Sequence, residues 1–297
     1  MKRDPARAET PRIAIVDADS IIFAVASTAE MRMSGPTPEE DQWFQVKSEQ
    51  EALAEVIAKI EALVGDSGAE DAIVCLSSVD KCFRYAILPT YKGNRKGARA
   101  PALRGVLTEA LVEACPYNVL RVSELEADDV CGISAGSLQR ARDRALAAGG
   151  LPDGAKVLRE PVIVSIDKDM LQIPGWNYNP GVHGNGYASR LTFVTREMAD
   201  RHFLYQTLIG DGTDGYTGCP GVGPTKANKL LDDCAHLPMG ERWKWIVEAF
   251  RKKGLDEAAA LVQARVARIL RVDDWDPIAR EITLWEPDET EEGELVH

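Results

Sequence analysis

The chain has no pattern of cysteine and histidine that would hold a soft metal. Its six cysteines, Cys75, Cys82, Cys115, Cys131, Cys219 and Cys234, form no CxxC pair, and several sit in apolar runs such as Ala72–Leu76. They read as buried, reduced thiols, which excludes a disulfide framework and fits a reducing compartment. The four histidines, His183, His202, His236 and His297, match no ligand spacing and read as structural or exposed. No apolar run approaches the roughly 20 residues of a membrane span. The opening MKRDPARAETPR lacks the apolar core of a signal peptide, so neither export nor a membrane is expected.

Positive charge is outnumbered, 35 Lys and Arg against 47 Asp and Glu, and the net charge of −12 would by itself argue against a nucleic-acid partner. The charge is unevenly spread, however. Between Lys81 and Arg104 stand Lys81, Arg84, Lys92, Arg95, Lys96, Arg99 and Arg104 with no acid, whereas Val272–His297 is dominated by Asp and Glu. A local basic stretch facing a carboxylate pocket can hold a polyanion while metal ions neutralise the pocket. This stretch is interleaved with Phe83, Tyr85 and Tyr91. Stacking plus charge is how single strands are held, although a lone charge run is more often a solvated face.

Acids cluster where strands or helices should end: Asp17, then Asp80, then Glu126, Asp128 and Asp129, then Asp167 and Asp169, then Asp211 and Asp214. Carboxylates gathered without cysteine or histidine suit hard divalent cations, Mg²⁺ or Mn²⁺, and phosphoryl-transfer chemistry. Short apolar runs predict strands at Arg12–Val16, Asp71–Leu76, Val119–Val122 and Pro161–Ile166. Helical spacing fills 47–64, 101–114 and 126–148 between them, and such alternation implies βαβ units and a parallel sheet. Ligands then bind beyond the carboxyl ends of the strands, where most of the acids fall. Helices are expected at 195–209, 224–234, 240–253 and 256–271. The expected divisions are a flexible N-terminus at 1–11, an α/β domain at 12–190, a helical domain at 191–275 and an acidic tail at 276–297. Residues 147–160 read as a surface insertion, and no internal repeat is visible.

Each acidic motif has a plainer reading beside the functional one. Ser123-x-x-Glu126 is a capping box, and acids in a first helical turn favour the dipole. Asp19 could cap the helix after Asp17. Asp167 and Asp169 share a face of an extended strand end, which solvation beside VIVSI explains poorly. GDGTDG (210–215) has ordinary turn chemistry, and it matches neither an EF-hand loop nor a P-loop. Gly221-Val-Gly-Pro-Thr-Lys-Ala227 lets backbone approach a ligand, starts a helix with Pro224, and offers N–H groups and Lys226 to a phosphate.

Together these residues resemble the flap endonuclease family, in particular bacteriophage 5′-to-3′ exonucleases and the 5′ nuclease domains of bacterial DNA polymerases. VDADSIIF (16–23) is similar to the first-strand motif, making Asp17 a metal acid and Phe23 a base-stacking aromatic. YKGNR (91–95) resembles the basic motif entering a helical arch, which makes Lys92 and Arg95 the catalytic contacts to the scissile phosphate and adds Arg84, Tyr91 and Lys96 as nucleic-acid contacts. ELEADD (124–129), SIDKD (165–169) and LIGDGTDGYTGCPGVGPTKA (208–227) supply the remaining acids. The last segment also resembles a helix-hairpin-helix-like element, with Gly221, Gly223, Thr225 and Lys226 on duplex phosphate and a K⁺ on the carbonyls of Cys219 and Val222.

The resemblance implies a PIN-like α/β core with a mostly parallel sheet flanked by helices, an arch, and a C-terminal helical domain that binds duplex DNA. It implies a structure-selective 5′ nuclease using two Mg²⁺ or Mn²⁺ ions on DNA with a 5′ end, nick or flap, extending to RNA primers in RNA–DNA hybrids. Such a protein would act as a monomer in DNA replication or repair, in the cytoplasm of a bacterium or of a bacteriophage-infected host. One position departs from the family, because Ser78 stands where an aspartate is expected and Asp80 follows two residues later. Two alternatives stay open: a catalytically weakened relative that binds branched DNA, and an RNase H-like or PIN-type nuclease that removes RNA primers.

Overall fold

The structure is a computed structural model that describes residues 11–35, 37, 41–79, 81–95, 97, 99–149, 159–181 and 188–287. The chain divides into two compact units. One takes its described residues from Met1–Asp80, Arg99–Met170 and Gly175–Phe193, the other from Lys81–Ala98, Leu171–Pro174 and Val194–His297. This corrects the contiguous division near residue 190: the basic stretch containing Lys92 and Arg95 belongs with the C-terminal helices.

The chain opens with β1 (Arg12–Asp17), α1 (Asp19–Thr28), a hairpin of β2 (Glu30–Met33) and β3 (Gln42–Gln45), α2 (Glu49–Asp66) and β4 (Ala69–Leu76). It gives α3 (Arg84–Ile87) to the second unit, then returns with α4 (Arg104–Ala114), β5 (Asn118–Arg121), α5 (Ala127–Ala147), β6 (Glu160–Val164), β7 (Gly175–Asn179) and β8 (Arg190–Val194). The sheet order is β5-β4-β1-β6-β7-β8, and the pairs from β5 through to β7 are all parallel. β1 sits centrally because Ile13, Ala14, Ile15 and Val16 are apolar on both faces, as a strand covered by helices on both sides requires.

Local chemistry sets the covering helices. Ser48 caps α2 by accepting the Glu51 amide while Glu51 returns to the Ser48 amide, and Ala52, Val56, Ile60 and Val64 then recur on one buried stripe. α5 begins as expected, but its capping pair is Glu126 and Asp129 rather than Ser123 and Glu126: the Glu126 amide donates to Asp129 Oδ2 at 3.2 Å. β2, β3, β7 and β8 go beyond the expected strands. β2 and β3 bury almost nothing, so they leave no alternation in the sequence, and GWNYN in β7 carries residues that disfavour strands.

The second unit contains α6 (Arg196–Ile209), α7 (Pro224–Asp233), α8 (Met239–Arg251), α9 (Glu257–Ala267) and a short ladder of β9 (Trp275–Asp276) and β10 (Glu281–Ile282). Phe203, Leu204, Leu208, Trp243, Ile246 and Phe250 form its core. α9 stops at Ala267, earlier than expected, because Arg268 and Arg271 turn to bond Asp274 and the Gln172 carbonyl. The expected acidic tail is corrected as far as residue 287. Trp285 packs edge-on against Phe203 and Trp243, with ring centroids 5.0 Å away in both cases. No helix among the described residues is long and apolar enough to cross a membrane.

Candidate metal and nucleic-acid sites

Parallel pairing brings the carboxyl ends of β1, β4 and β6 to one edge of the first unit. Asp17 ends β1, and its Oδ2 accepts the Ser165 hydroxyl at 2.9 Å just beyond β6. Ser165 Oγ in turn accepts the Asp167 amide at 3.0 Å, and Asp167 Oδ1 accepts the Asp169 amide at 2.8 Å. Asp19 does not cap α1. Its Oδ1 reaches across to accept the Ser77 amide at 3.3 Å after β4. Ser77 Oγ accepts the Ala127 amide at 3.0 Å, which ties the end of β4 to the start of α5. Burial pushes the Asp17 carboxyl up to about 7; like charge from Asp19 and Asp167 adds to the rise, and the Ser165 bond opposes it.

At the start of α5, Glu126, Asp128 and Asp129 each present a carboxylate oxygen within 4.8 Å of the others. Asp129 is 0 % exposed and caps the Glu126 amide, so part of its role is structural. Asp128 Oδ1 accepts the Asp129 amide at 2.8 Å. Cys131, one turn into α5, senses both groups of acids. Its thiol is pushed up by burial first, by its hydrogen bond with Cys75, and by the negative charges of Asp17 and Asp128. An all-oxygen set with one nearly buried carboxylate of raised affinity for protons fits a hard divalent ion, which would displace that proton and offset the repulsion.

A second set of acids lies in the loop between α6 and α7. Asp211 Oδ1 accepts the amides of Thr213 at 2.6 Å and Asp214 at 3.3 Å, closing the turn chemistry expected for GDGTDG. Gly210 and Gly218 cross so closely that a Cβ on Gly210 would lie 2.4 Å from the Thr217 carbonyl carbon, and one on Gly218 2.4 Å from the Gly210 nitrogen. Both have positive φ, so glycine is required twice over. On this loop lies YKGNR. The Lys92 amide donates to the Asp214 carbonyl at 2.7 Å, and Asn94 Nδ2 donates to the Gly212 carbonyl at 2.6 Å. Three side chains reach the Asp214 carboxylate: Arg95 Nη2 at 2.6 Å, the Tyr91 hydroxyl at 3.1 Å and Lys92 Nζ at 3.8 Å.

Two expected nucleic-acid contacts are corrected. Arg84 is 2 % exposed and spends its guanidinium on the carbonyls of Val266, at 3.0 Å, and Arg268, at 2.6 Å. Tyr91 is 2 % exposed, packed with Cys82, Tyr216, Val266 and Ala267, and cannot stack on a base. Phe23 is 50 % exposed on α1, as a stacking residue must be. Gly221, Gly223, Thr225 and Lys226 are exposed at the start of α7, with Gly223 as its N-cap. Lys226 Nζ donates to the Gly221 carbonyl at 2.9 Å, and the Cys219 carbonyl accepts the Val222 amide at 3.1 Å. Asp80 and Lys96 lie outside the described residues. Sequence reasoning missed Ser165, Ser77 and Asn94, and read Asp19 either as repeating with Asp17 the arrangement of Asp167 and Asp169 or as a helix cap. Ser165 alone left a signal, two residues before Asp167 at a strand end.

Comparison with known proteins identifies the family and the fold. Residues 12–179 match the family model described as 5′-3′ exonuclease, N-terminal resolvase-like domain. The exodeoxyribonuclease of Enterobacteria phage T3 is 28 % identical and the exonuclease of Escherichia phage T7 27 % identical, each over 93 % of both chains. Among solved structures, a bacteriophage T5 protein crystallised with metal ions superposes with a TM-score of 0.54 at 16 % identity, over 86 % of this chain and 88 % of that one. The bacteriophage T5 flap endonuclease in a complex with DNA and metal ions gives 0.53 at 15 % identity over the same shares. At such identities the superpositions show a shared fold.

Proposed function

The chain belongs to the 5′-3′ exonuclease family, whose N-terminal resolvase-like domain matches more than half of it, and from that premise we infer that it is a divalent-metal-dependent, structure-selective 5′ nuclease acting on DNA phosphodiesters. One observation carries the chemistry: parallel strand ends gather Asp17, Asp167 and Asp169 beside the helix start that presents Glu126, Asp128 and Asp129. We assign Asp17, Glu126, Asp128, Asp129, Asp167 and Asp169 as ligands of Mg²⁺ or Mn²⁺, and the family resemblance extends a metal-ligand role to Asp211 and Asp214. Asp80 joins this assignment on sequence alone. Bound divalent ions would lower the pKa of water, supply a nucleophile at neutral pH, and stabilise the leaving oxygen.

The chain's own residues do the rest. Ser165 holds Asp17 by its hydroxyl, and the Asp19 carboxylate holds the end of β4, so the acids are oriented before substrate arrives. Lys92 and Arg95 are proposed to contact the scissile phosphate, where negative charge grows in the transition state. Phe23 offers a face to an unpaired base. Gly221, Gly223, Thr225 and Lys226 are proposed to grip a remote duplex phosphate at the start of α7. A carbonyl oxygen has two lone pairs, so Cys219 and Val222 retain acceptor capacity for K⁺ in the same loop. The proposed setting is a monomer working in the cytoplasm of a bacterial host.

The test is a panel of 5′-labelled substrates: nicked duplex, 5′ flap, blunt duplex, and an RNA primer on DNA, each with Mg²⁺, with Mn²⁺ and with excess chelator. Release of short 5′ products from nicked and flapped DNA, with metal only, is expected. Cleavage at internal sites irrespective of a 5′ end, or undiminished in chelator, would refute the reading.

A further inference from the structure

We propose that Asp214 is a counter-ion exchange point: its carboxylate holds Arg95 and Lys92 until a divalent ion takes the carboxylate, which frees both cations for a phosphate. The inference rests on the reading of Asp214 as a metal ligand and of Lys92 and Arg95 as phosphate contacts. The observation behind it is that all three groups already meet. Arg95 Nη2 lies 2.6 Å and Lys92 Nζ 3.8 Å from the same oxygen, Asp214 Oδ1. The phosphate contacts and the metal ligand therefore compete with their own ligands for each other.

The backbone makes the exchange local. The Lys92 amide on the Asp214 carbonyl, and Asn94 on the carbonyls of Gly212 and Thr213, keep YKGNR seated on the loop whatever the side chains do. Tyr91 donates to the other oxygen, Oδ2, at 3.1 Å and keeps the carboxylate aimed. The ion pair itself is half open to water, with the Arg95 side chain 50 % and the Asp214 side chain 26 % exposed, and exposed pairs are weak. Breaking it is therefore offset by a divalent ion on the carboxylate and by charge-assisted contacts of the freed cations to a phosphate. Linkage then requires reciprocity: metal tightens DNA binding by the same factor by which DNA tightens metal binding.

A double-mutant cycle with two readouts decides. Binding of a fluorescein-labelled 5′-flap DNA is measured by anisotropy in chelator and in Ca²⁺, and Ca²⁺ binding without DNA by calorimetry. The proteins are wild type, Asp214→Asn, Arg95→Gln with Lys92→Met, and the combination of all three changes; Asn keeps an acceptor for Tyr91. In chelator, Asp214→Asn should tighten DNA binding at least about fivefold, the low end of typical coupling between sites, and this gain should vanish when Arg95 and Lys92 are absent. Equal tightening in both backgrounds would mean that Asp214 merely repels phosphate, and no tightening would mean that the pair does not restrain the cations; either overturns the proposal. In calorimetry, Asp214→Asn should weaken Ca²⁺ binding and the Arg95→Gln, Lys92→Met protein should tighten it. Weakening by Asp214→Asn without tightening by the cation variant overturns the exchange but leaves the metal assignment standing. Unchanged Ca²⁺ binding in Asp214→Asn removes the metal assignment of Asp214 itself, and the exchange with it.

Discussion

The hydroxyl of Ser165 donates 2.9 Å to the carboxylate of Asp17, joining the ends of two neighbouring parallel strands at the point where a negative charge is hardest to bury. That bond offsets only part of the burial cost, and Asp17 ends near 7 against an ordinary value of 3.8.

A pH dependence follows from this shift. The folded protein holds the Asp17 proton more tightly than the unfolded chain does, so this group's contribution is fully present below about pH 4 and is lost as pH rises towards 7. In chelator, urea titrations should show stability falling across that window by at most roughly 4 kcal/mol, from about three units at 1.36 kcal/mol each. Asp17→Asn, which keeps an acceptor for Ser165, should flatten the trend and be the more stable protein at pH 8. An unchanged slope in the variant would assign the trend to another group.

Removal of a single metal acid should separate binding from cutting. Asp128→Ala and Asp169→Ala should abolish cleavage of a 5′ flap while leaving affinity for DNA equal or tighter, because a negative charge near phosphates is lost. Parallel loss of binding, with a lowered melting temperature, would show that these residues hold the fold instead.

Lys92 and Lys226 should fail differently. Lys92→Ala is expected to lower the single-turnover rate by roughly 10²-fold, as for a contact made to developing charge, with little change in affinity in chelator, where Asp214 still holds Lys92. Lys226→Ala should weaken binding on all sequences and reduce the salt slope by about one. The same modest affinity loss in both, with unchanged single-turnover rates, would make Lys92 one more tether.

Arg84 should behave as a core residue rather than a DNA contact. Arg84→Ala strips the carbonyls of Val266 and Arg268 of their buried donor, and a cost of about 3 kcal/mol or more in urea is expected. Arg84→Lys should recover little, since an ammonium cannot span both carbonyls in the geometry of a planar fork. Full stability combined with weakened DNA binding would return Arg84 to the surface role.

Much of this was legible in the sequence because strands buried on both faces are written as continuous β-branched runs. Arg12–Val16 and Pro161–Ile166 could be read as parallel strands with acids at their carboxyl ends, and the structure has β1 and β6 there. What stayed hidden depends on long-range packing. Arg84 and Tyr91 share the composition of a single-strand platform with Lys92 and Arg95, and only their tertiary neighbours turn them inward. The hairpin of β2 and β3 was invisible because both its faces are exposed and no alternation is needed. The fate of the aspartate missing at Ser78 stays with Asp80, where the sequence alone speaks.

The grouping of Lys81–Ala98 with the C-terminal helices sets an order of events at the ribosome. Arg84 precedes its acceptor Val266 by 182 residues. At roughly 5–20 residues per second, the nascent segment waits roughly 10–40 s for the helices it completes. The central strands β1 and β4 are synthesised before that wait begins, and β6 adds to the free edge of β1 during it, so the first sheet can assemble with this arm still unpaired. A C-terminal fragment begun anywhere after residue 98 can never recover the arm. It would leave the carbonyls of Val266 and Arg268 without their guanidinium, and the loop of Asp211 and Asp214 without Asn94 and Arg95.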